Sequence, residues 1–293
     1  MAVKPKEPAK KAAKKATGKA ATVVDKKDNL PAVIDFAGDA GAGMEGADSD
    51  SFAIPFLAVV QKMGPQVDRE DAGHVDGAEA GMFINSVTNE LWDGEEGVRF
   101  IPCAFKREFL RWGARKLGGG FKGAMSPAAA QALIESGQII AMDGGQLLCP
   151  TEHGVVDEKV SDIVRDTRNH FGLLETDDGW VEVLMSLTST QIKKSKGLMS
   201  MLKQVKVKGM NPPTYYNVIE IVSVPESNDQ GSWHGVKIAL DGTVEDCEDA
   251  GQLYAQARSF WESVASKKVN VNYNQQDGSN SAGADEDDDS GLE

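Results

Sequence analysis

Residues 98–122 read VRFIPCAFKREFLRWGARKLGGGFK, and this stretch decides the predicted fold. Its first part, 98–112, predicts a strand that follows an earlier strand at 82–87 and the turn-like Trp92-Asp93-Gly94. Alternate residues of an extended chain share one face. One face of this strand therefore carries Phe105, Arg107, Phe109 and Arg111.

The other face of the same strand carries Trp112, and Arg115, Lys116 and Lys122 flank a triple-glycine loop that follows it. Rings interleaved with cations are what a single-stranded nucleic acid requires, because cations neutralise phosphates and rings stack on bases. The alternative interpretation is that the phenylalanines are ordinary core and the cations form a solvated edge that discourages sheet aggregation.

The remaining periodicity favours short strands over long helices. A segment at 52–61 contains Pro55, which suits an edge strand or a packed segment that leads into the fold. Two hairpins are predicted, at 138–149 around Asp143-Gly144-Gly145 and at 215–240 around a turn at 225–231. The other predicted elements are a strand at 180–187 and helices at 126–136, 189–205 and 249–265.

This order of elements predicts a mainly β or α+β fold, an antiparallel barrel of the oligonucleotide/oligosaccharide-binding (OB) type with added helices. A generic α+β sandwich is the alternative. Residues 51–273 form the predicted domain. Residues 1–50 are predicted to be a disordered basic arm and acidic linker, and 274–293 a disordered acidic tail.

Charge is distributed unevenly along the 293 residues, whose net charge is -14. Residues 1–27 contain nine lysines and two carboxylates, whereas 277–293 contain seven carboxylates and no base. The net negative charge alone argues against nucleic acid, but the location of the cations matters more than their sum. Three cysteines far apart in sequence fit a reducing cytosol, and no apolar run approaches the length of a membrane span.

A second basic element lies between Glu182 and Glu220, where no acidic residue occurs. On the predicted helix, Ile192, Met199, Leu202 and Val205 are expected to face inward. Lysines then form an outward ridge that tracks phosphates, with a solvated helix face as the alternative. The candidate cations of this element are Lys193, Lys194, Lys196, Lys203 and Lys206.

Aromatic residues of the last hairpin supply further candidates for base stacking. Tyr215 and Tyr216 are predicted to begin its first strand, so one of the two must point away from the core. Trp233 shares a face with Lys237 on the second strand.

Catalytic signatures are missing from the sequence. It contains no P-loop, no H-E-x-x-H, no G-x-S-x-G and no C-x-x-C motif. Cys149 and His153 are half of a zinc set at most. The acidic pairs Asp177-Asp178, Glu95-Glu96 and Asp157-Glu158 suit either Mg²⁺ for a nuclease or solvated loops, and the loop interpretation is favoured. The sequence therefore predicts a protein that is not an enzyme and has no cofactor and no metal.

The layout resembles the single-stranded-DNA-binding proteins of bacteriophage replication and recombination. The similarity rests on a basic-aromatic body, the pair Tyr215-Tyr216-Asn217-Val218 and Gly231-Ser232-Trp233, a closing helix and the acidic run DEDDD. The resemblance implies sequence-independent binding of single-stranded DNA in the host cytoplasm. It also implies that the tail contacts replication or recombination proteins through Asp285, Glu286, Asp287, Asp288, Asp289 and Leu292.

Two other functions remain open from the sequence. One is a structural or virion-associated protein whose charged ends assemble with nucleic acid or with other copies of the chain. The other is a metal-dependent nuclease. The sequence predicts no membrane partner and is compatible with a homo-oligomer.

Overall fold

Backbone pairing in the computed structural model, which describes residues 42–47, 51–117, 119–229 and 231–276, defines eleven strands and three α-helices. The strands are β1 Leu57–Val59, β2 Phe83–Asn85, β3 Leu91–Trp92, β4 Val98–Trp112, β5 Phe121–Met125, β6 Ile140–Ala141, β7 Leu147–Cys149, β8 Asp162–Thr176, β9 Gly179–Thr188, β10 Asn217–Asn228 and β11 Gly231–Thr243. The helices are α1 Pro127–Glu135, α2 Ile192–Gln204 and α3 Ala250–Ala265.

One eight-stranded antiparallel sheet dominates the fold. Its central order is β11-β10-β4-β8, with β9 and β7 on the far edge of β8 and β5 on β4. The sheet curls into a half-barrel, and α2 connects β9 to β10. A small sheet, β1-β2-β3, contacts it through the parallel bridge between Phe56 and Leu184. The predicted mainly β, α+β fold with an OB-like curled sheet is confirmed.

The long strands β4 and β8 pair from Phe100↔Leu174 to Trp112↔Ile163, with a register shift between Pro102 and Ala104. Successive side chains of a strand point to opposite faces of the sheet. The face that carries Phe100 and Leu174 packs against α2. We call it the inner face, and the opposite side the outer face.

The inner face packs into one apolar core that α2 closes. Phe100, Leu174, Val183 and Ile221 are fully buried there, and α2 adds Leu198 and Leu202. The tight packing requires glycine at position 172, where a Cβ atom would lie 2.2 Å from the Phe100 ring and 2.3 Å from the Ile101 carbonyl oxygen.

The outer face is covered by α3 and by the segment that follows it. Leu253, Ala257, Phe260 and Val264 of α3 are buried against Ile101, Phe171 and Leu173. Beyond the helix, the Tyr273 ring packs 4.9 Å from the Phe121 ring and 6.1 Å from the Phe56 ring. The face outside the central strands is therefore occupied by the protein's own C-terminal elements.

At the end remote from Phe100 and Leu174, the β4–β8 pair is flanked by β5 on one side and by β7 and β9 on the other, and we call this part of the sheet the ribbon. It carries a small separate core made by Phe109, Ala130, Ile139 and Val164. The Ser126 hydroxyl accepts a hydrogen bond from the Ala129 N–H, and Pro127 occupies the first turn of α1. Both are the helix-start signals that the sequence contains.

Several predicted elements differ from the structure. The long strand β8 and the short strands β3 and β5 were not predicted. The two strands of the last hairpin pair as far as Asn228 and Gly231 and so continue through the segment expected to be the turn. Tyr215 and Tyr216 lie in a 3₁₀ helix, Thr214–Tyr216, before β10 rather than in the strand. The predicted arm and most of the acidic tail lie outside the described residues.

Candidate nucleic-acid interface

The inner side of the ribbon brings several predicted site residues together. Phe105 lies opposite His170, Arg107 opposite Arg168, and Phe109 opposite Asp166. The His170 Nε2 atom is 2.8 Å from the Ser195 Oγ atom, so α2 rests on this same side of the sheet. The basic face of β4 and the lysine-rich helix therefore lie on one side of the sheet.

Asp166 is a carboxylate shared by two arginines. Arg107 donates to it from Nε at 3.0 Å and from Nη2 at 2.7 Å, and Arg168 donates through the same two atoms at 3.1 Å each. Burial alone would raise the pKa of Asp166, but the hydrogen bonds from Arg107 and Arg168 outweigh it and hold the pKa below its usual value. Asp166 is therefore ionised and fixes both guanidinium groups.

Asp162 repeats the arrangement at the next step along the ribbon. Its oxygens accept from Arg111 Nε at 2.7 Å and from Lys122 Nζ at 2.7 Å. Burial acts to raise the pKa of Asp162, yet the bonds from Lys122 and Arg111 lower it overall. Asp166 and Asp162 thus each bind two cationic side chains. The four cations and two carboxylates together have a net charge of +2.

The carboxylates orient the cations without cancelling them. The Arg107 guanidinium uses Nε and Nη2 for Asp166, which leaves Nη1 outside this pair, and it lies 5.0 Å from the centre of the Phe109 ring. A planar guanidinium held in this way retains donors in a fixed geometry that matches a phosphate. The ribbon is therefore a preorganised cationic surface.

The exposed side of α2 carries three unpaired lysines. Lys193, Lys196 and Lys203 are exposed, and none of the three has an ion pair within the described residues. Gly197 and Ser200 between them are exposed and small. The three lysines, which we call the α2 ridge, span about 15 Å at the helical rise.

The buried side of α2 differs in part from the prediction. Ser195, Leu198 and Leu202 are the buried positions, while Ile192 and Met199 are only half-buried and Val205 caps the helix end. Leu202 was predicted to face inward and does so. The cationic side is unchanged by this rotation, because the exposed lysines lie roughly opposite the buried positions.

Lys194 does not belong to the ridge. Its ammonium lies 2.8 Å from Glu226 at the tip of the last hairpin, where Trp233 Nε1 and Gln191 Nε2 also donate to this carboxylate. Nine residues correspond to two and a half helical turns, so Lys194 and Lys203 lie on opposite flanks of α2. The ridge therefore faces away from the hairpin tip.

The other predicted cations lie in several places. Lys206 bonds the Asn211 side chain, and Lys116 is exposed in the 3₁₀ turn Arg115–Leu117. The Arg115 side chain lies outside the described part of the chain. Lys237 is exposed but lies on the outer face, because its neighbour Val236 belongs to the inner core.

Burial corrects the predicted stacking role of three rings. Phe109 and Trp112 are each 8% exposed, and Tyr215 is packed edge-on against Tyr254 of α3. Rings enclosed in this way present no free face to a base. Phe105 is half-buried beside His170, with 5.1 Å between the ring centres, and stays within reach of the inner side.

The tyrosine pair also corrects the predicted single shared surface. Tyr215 contacts α3 on the outer face, and the partly exposed Tyr216 lies near Glu245 after β11. Trp233 is half-buried on Glu226. The tyrosines and the α2 ridge therefore lie on different sides of the sheet, so they do not form one binding surface.

Arg168 is a functional candidate that sequence reasoning missed. It shares Asp166 with Arg107 and lies directly opposite it in the ribbon. The run from Arg165 to His170 is polar throughout and has no alternation of apolar and polar residues, so no local signal identifies this strand.

The predicted half of a zinc set consists of Cys149 and His153. Cys149 is buried and His153 exposed, and within the described residues no group of three His, Cys, Asp or Glu side chains is placed to hold an ion. The predicted partner contacts of the acidic tail lie outside the described residues. They are Asp285, Glu286, Asp287, Asp288, Asp289 and Leu292. No helix in the described part is long and apolar enough to span a membrane.

These features define the class of the molecule, a mainly β protein with a curled, OB-like sheet and a net positive surface on one side. Residues 22–270 match the family described as Pam3 phage gp34-like protein, and the chain belongs to that family. No curated protein and no solved structure matches the chain.

Proposed function

We propose that this phage-family protein binds single-stranded DNA without sequence preference and acts in phage DNA replication or recombination in the host cytoplasm. It is a binding protein and not an enzyme in this proposal. Phosphate contacts supply most of the affinity, and the cations of the ribbon and of α2 make those contacts.

One observation carries the proposal. In a chain with a net charge of -14, the inner side of the ribbon and the exposed side of α2 are both net positive. The ribbon cations Arg107, Arg111, Lys122 and Arg168 share two carboxylates, and the α2 ridge has no paired carboxylate in the described part. Segregated positive charge on an acidic protein favours a polyanionic ligand.

Base stacking contributes less than the sequence suggests. Of the predicted rings, Phe105 is the one that lies on this side of the described structure with part of its surface open. A single partly open ring supports one stacking contact of about 1–3 kcal/mol. Binding is therefore expected to weaken steeply with salt.

The direct test is fluorescence anisotropy of labelled oligo(dT) and of a duplex of equal length, at several salt concentrations. The chain should bind oligo(dT) more tightly than duplex. The Lys193→Ala, Lys196→Ala, Lys203→Ala triple variant should lose affinity, and the slope of log affinity against log salt should fall by about 2.

The matched control is the Lys267→Ala, Lys268→Ala variant, which removes exposed lysines after α3 on the other side of the sheet. Its affinity and salt slope should stay close to those of the unmodified chain. Equal binding of duplex and oligo(dT) would favour a virion-associated role, and cleavage with Mg²⁺ or Mn²⁺ would favour a nuclease. An unchanged triple variant would remove the α2 ridge from the proposal.

A further inference from the structure

Strand β11 forms one edge of the large sheet. Within the described residues it is hydrogen-bonded as a strand to β10 alone. In an antiparallel pair, alternate residues direct both backbone polar groups away from the partner strand. Counting from the hairpin pair Asn228↔Gly231, the outward residues of β11 from His234 to the register shift at Asp241 are His234, Val236, Ile238 and Leu240.

Side chains satisfy the first part of this edge. Gln61 accepts from the His234 N–H and donates to its carbonyl oxygen, both at 2.9 Å, and Gln191 accepts from the Val236 N–H at 3.1 Å. The outward groups of Ile238 and Leu240 have no hydrogen-bond partner among the described residues. Leu240 is also 43% exposed. An edge with open backbone groups and apolar side chains is a template for another strand.

The sequence of this open edge is complementary to itself. An antiparallel pairing about a two-fold axis at Ala239 places Ile238 opposite Leu240 of the second strand, and Lys237 opposite Asp241. Lys237 is exposed, and Asp241 is held on the outer face by Arg99 at 2.7 Å. Opposite charges directly across a strand pair stabilise it.

We propose that β11 pairs antiparallel with β11 of a second copy of this chain and joins two half-barrels into one continuous sheet. The opposite charges of Lys237 and Asp241 are complementary between two copies of the chain, so they favour a second copy as the strand that pairs with the β11 edge. They also set the register, because a shift of two residues places Lys237 against Ala239 or Thr243 of the second copy, both of which are uncharged.

The contact is short. It makes two hydrogen-bonded residue pairs, or about four N–H···O bonds, and buries less area than a stable dimer requires. We therefore expect reversible association with a dissociation constant on the order of 10–100 μM.

Sedimentation equilibrium of the full chain without DNA, from micromolar to several hundred micromolar protein, tests the proposal. The unmodified chain should show a monomer–dimer equilibrium. Lys237→Asp faces Asp241 of an identical copy, and Asp241→Lys faces Lys237, so each variant alone should dimerise at least tenfold more weakly. An equimolar mixture should recover heterodimers, because both cross-strand pairs are again of opposite charge.

Lys268→Asp is the charge-matched control and should dimerise like the unmodified chain. Asp241→Lys loses its Arg99 partner, so thermal unfolding is used to check that it remains folded. If it does not, the comparison of Lys237→Asp with the unmodified chain is the test. A chain that stays monomeric throughout, or a dimer indifferent to Lys237→Asp, would overturn the proposal. Recovery in the mixture distinguishes this pairing from general charge effects.

Discussion

One carboxylate oxygen of Asp162 lies 2.7 Å from the Lys122 ammonium, while its other oxygen accepts from Arg111. The pair joins β8 to β5 across the intervening strand β4. Because the group of three carries one excess positive charge, Lys122 adds charge to the surface as well as a link between strands.

Replacing Lys122 with alanine should therefore affect binding more than folding. Asp162 keeps Arg111, and the Lys122 side chain is 49% exposed, so the free energy of unfolding should fall by less than about 1 kcal/mol. The slope of log oligo(dT) affinity against log salt should fall by about 0.7. Lys268→Ala is the control, and equal slopes for both variants would place Lys122 outside the interface.

Stability should depend on pH through His170. Burial, with a smaller effect from Arg168, lowers the pKa of His170 from 6.5 to about 4. The unfolded chain then binds a proton at a pH where the folded chain does not, so stability is present above pH 6.5 and is lost towards pH 4. Between pH 7.5 and 5 the contribution falls by about 2 kcal/mol.

Urea unfolding at the two pH values measures this effect. His170→Gln, which does not titrate, should show a pH dependence smaller by that amount. Equal pH dependence in both chains would mean that folding does not lower the pKa of His170.

Two glycines should respond to alanine in opposite directions. A Cβ atom at Gly172 would overlap the Phe100 ring and the Ile101 carbonyl, so Gly172→Ala should cost about 3 kcal/mol. Gly197 lies in α2 with nothing within 4 Å of its Cβ position. Gly197→Ala should stabilise by about 0.5–1 kcal/mol because alanine favours helix. Urea unfolding of both variants gives the two signs directly.

The Tyr273 hydroxyl anchors the end of the described chain. It donates to Glu108 at 2.8 Å and accepts from Asn169 at 2.8 Å, and burial is the largest cause of its raised pKa. Tyr273→Phe should lower the free energy of unfolding by about 1 kcal/mol, because Glu108 and Asn169, which stay bonded to each other, each lose one hydrogen bond. Tyr216→Phe, at a partly exposed site, should leave the unfolding midpoint nearly unchanged.

Local patterns were sufficient for elements whose signals lie within a few residues. The alternation in β4, the Ser-Pro start of α1 and the lysine side of α2 are of this kind. Strand β8 was missed because its polar half, from Asp162 to His170, looks like a solvated loop. Its side chains become suitable for a strand only when Arg107 and Arg111 lie beside them.

Those partners are far apart in the chain. Arg111 and Asp162 are separated by 51 residues, and Arg107 and Asp166 by 59. No local pattern records such a pairing, so the shared carboxylates could not be predicted. Trp261 shows the same limit: its spacing of eight, four and three residues from Leu253, Ala257 and Val264 predicts the buried side of α3, but it is 41% exposed.

The anchor at Tyr273 has a consequence for whatever follows it. Asn274 accepts a hydrogen bond from the Phe121 N–H, next to Lys122, so the seven carboxylates of 277–293 are tethered from a fixed point beside the ribbon. Any contact between them and nearby cations is intramolecular. The fraction of molecules that make such a contact depends on the effective concentration of the tail, which is in the millimolar range for short tethers. Dilution of the protein would not lower that fraction.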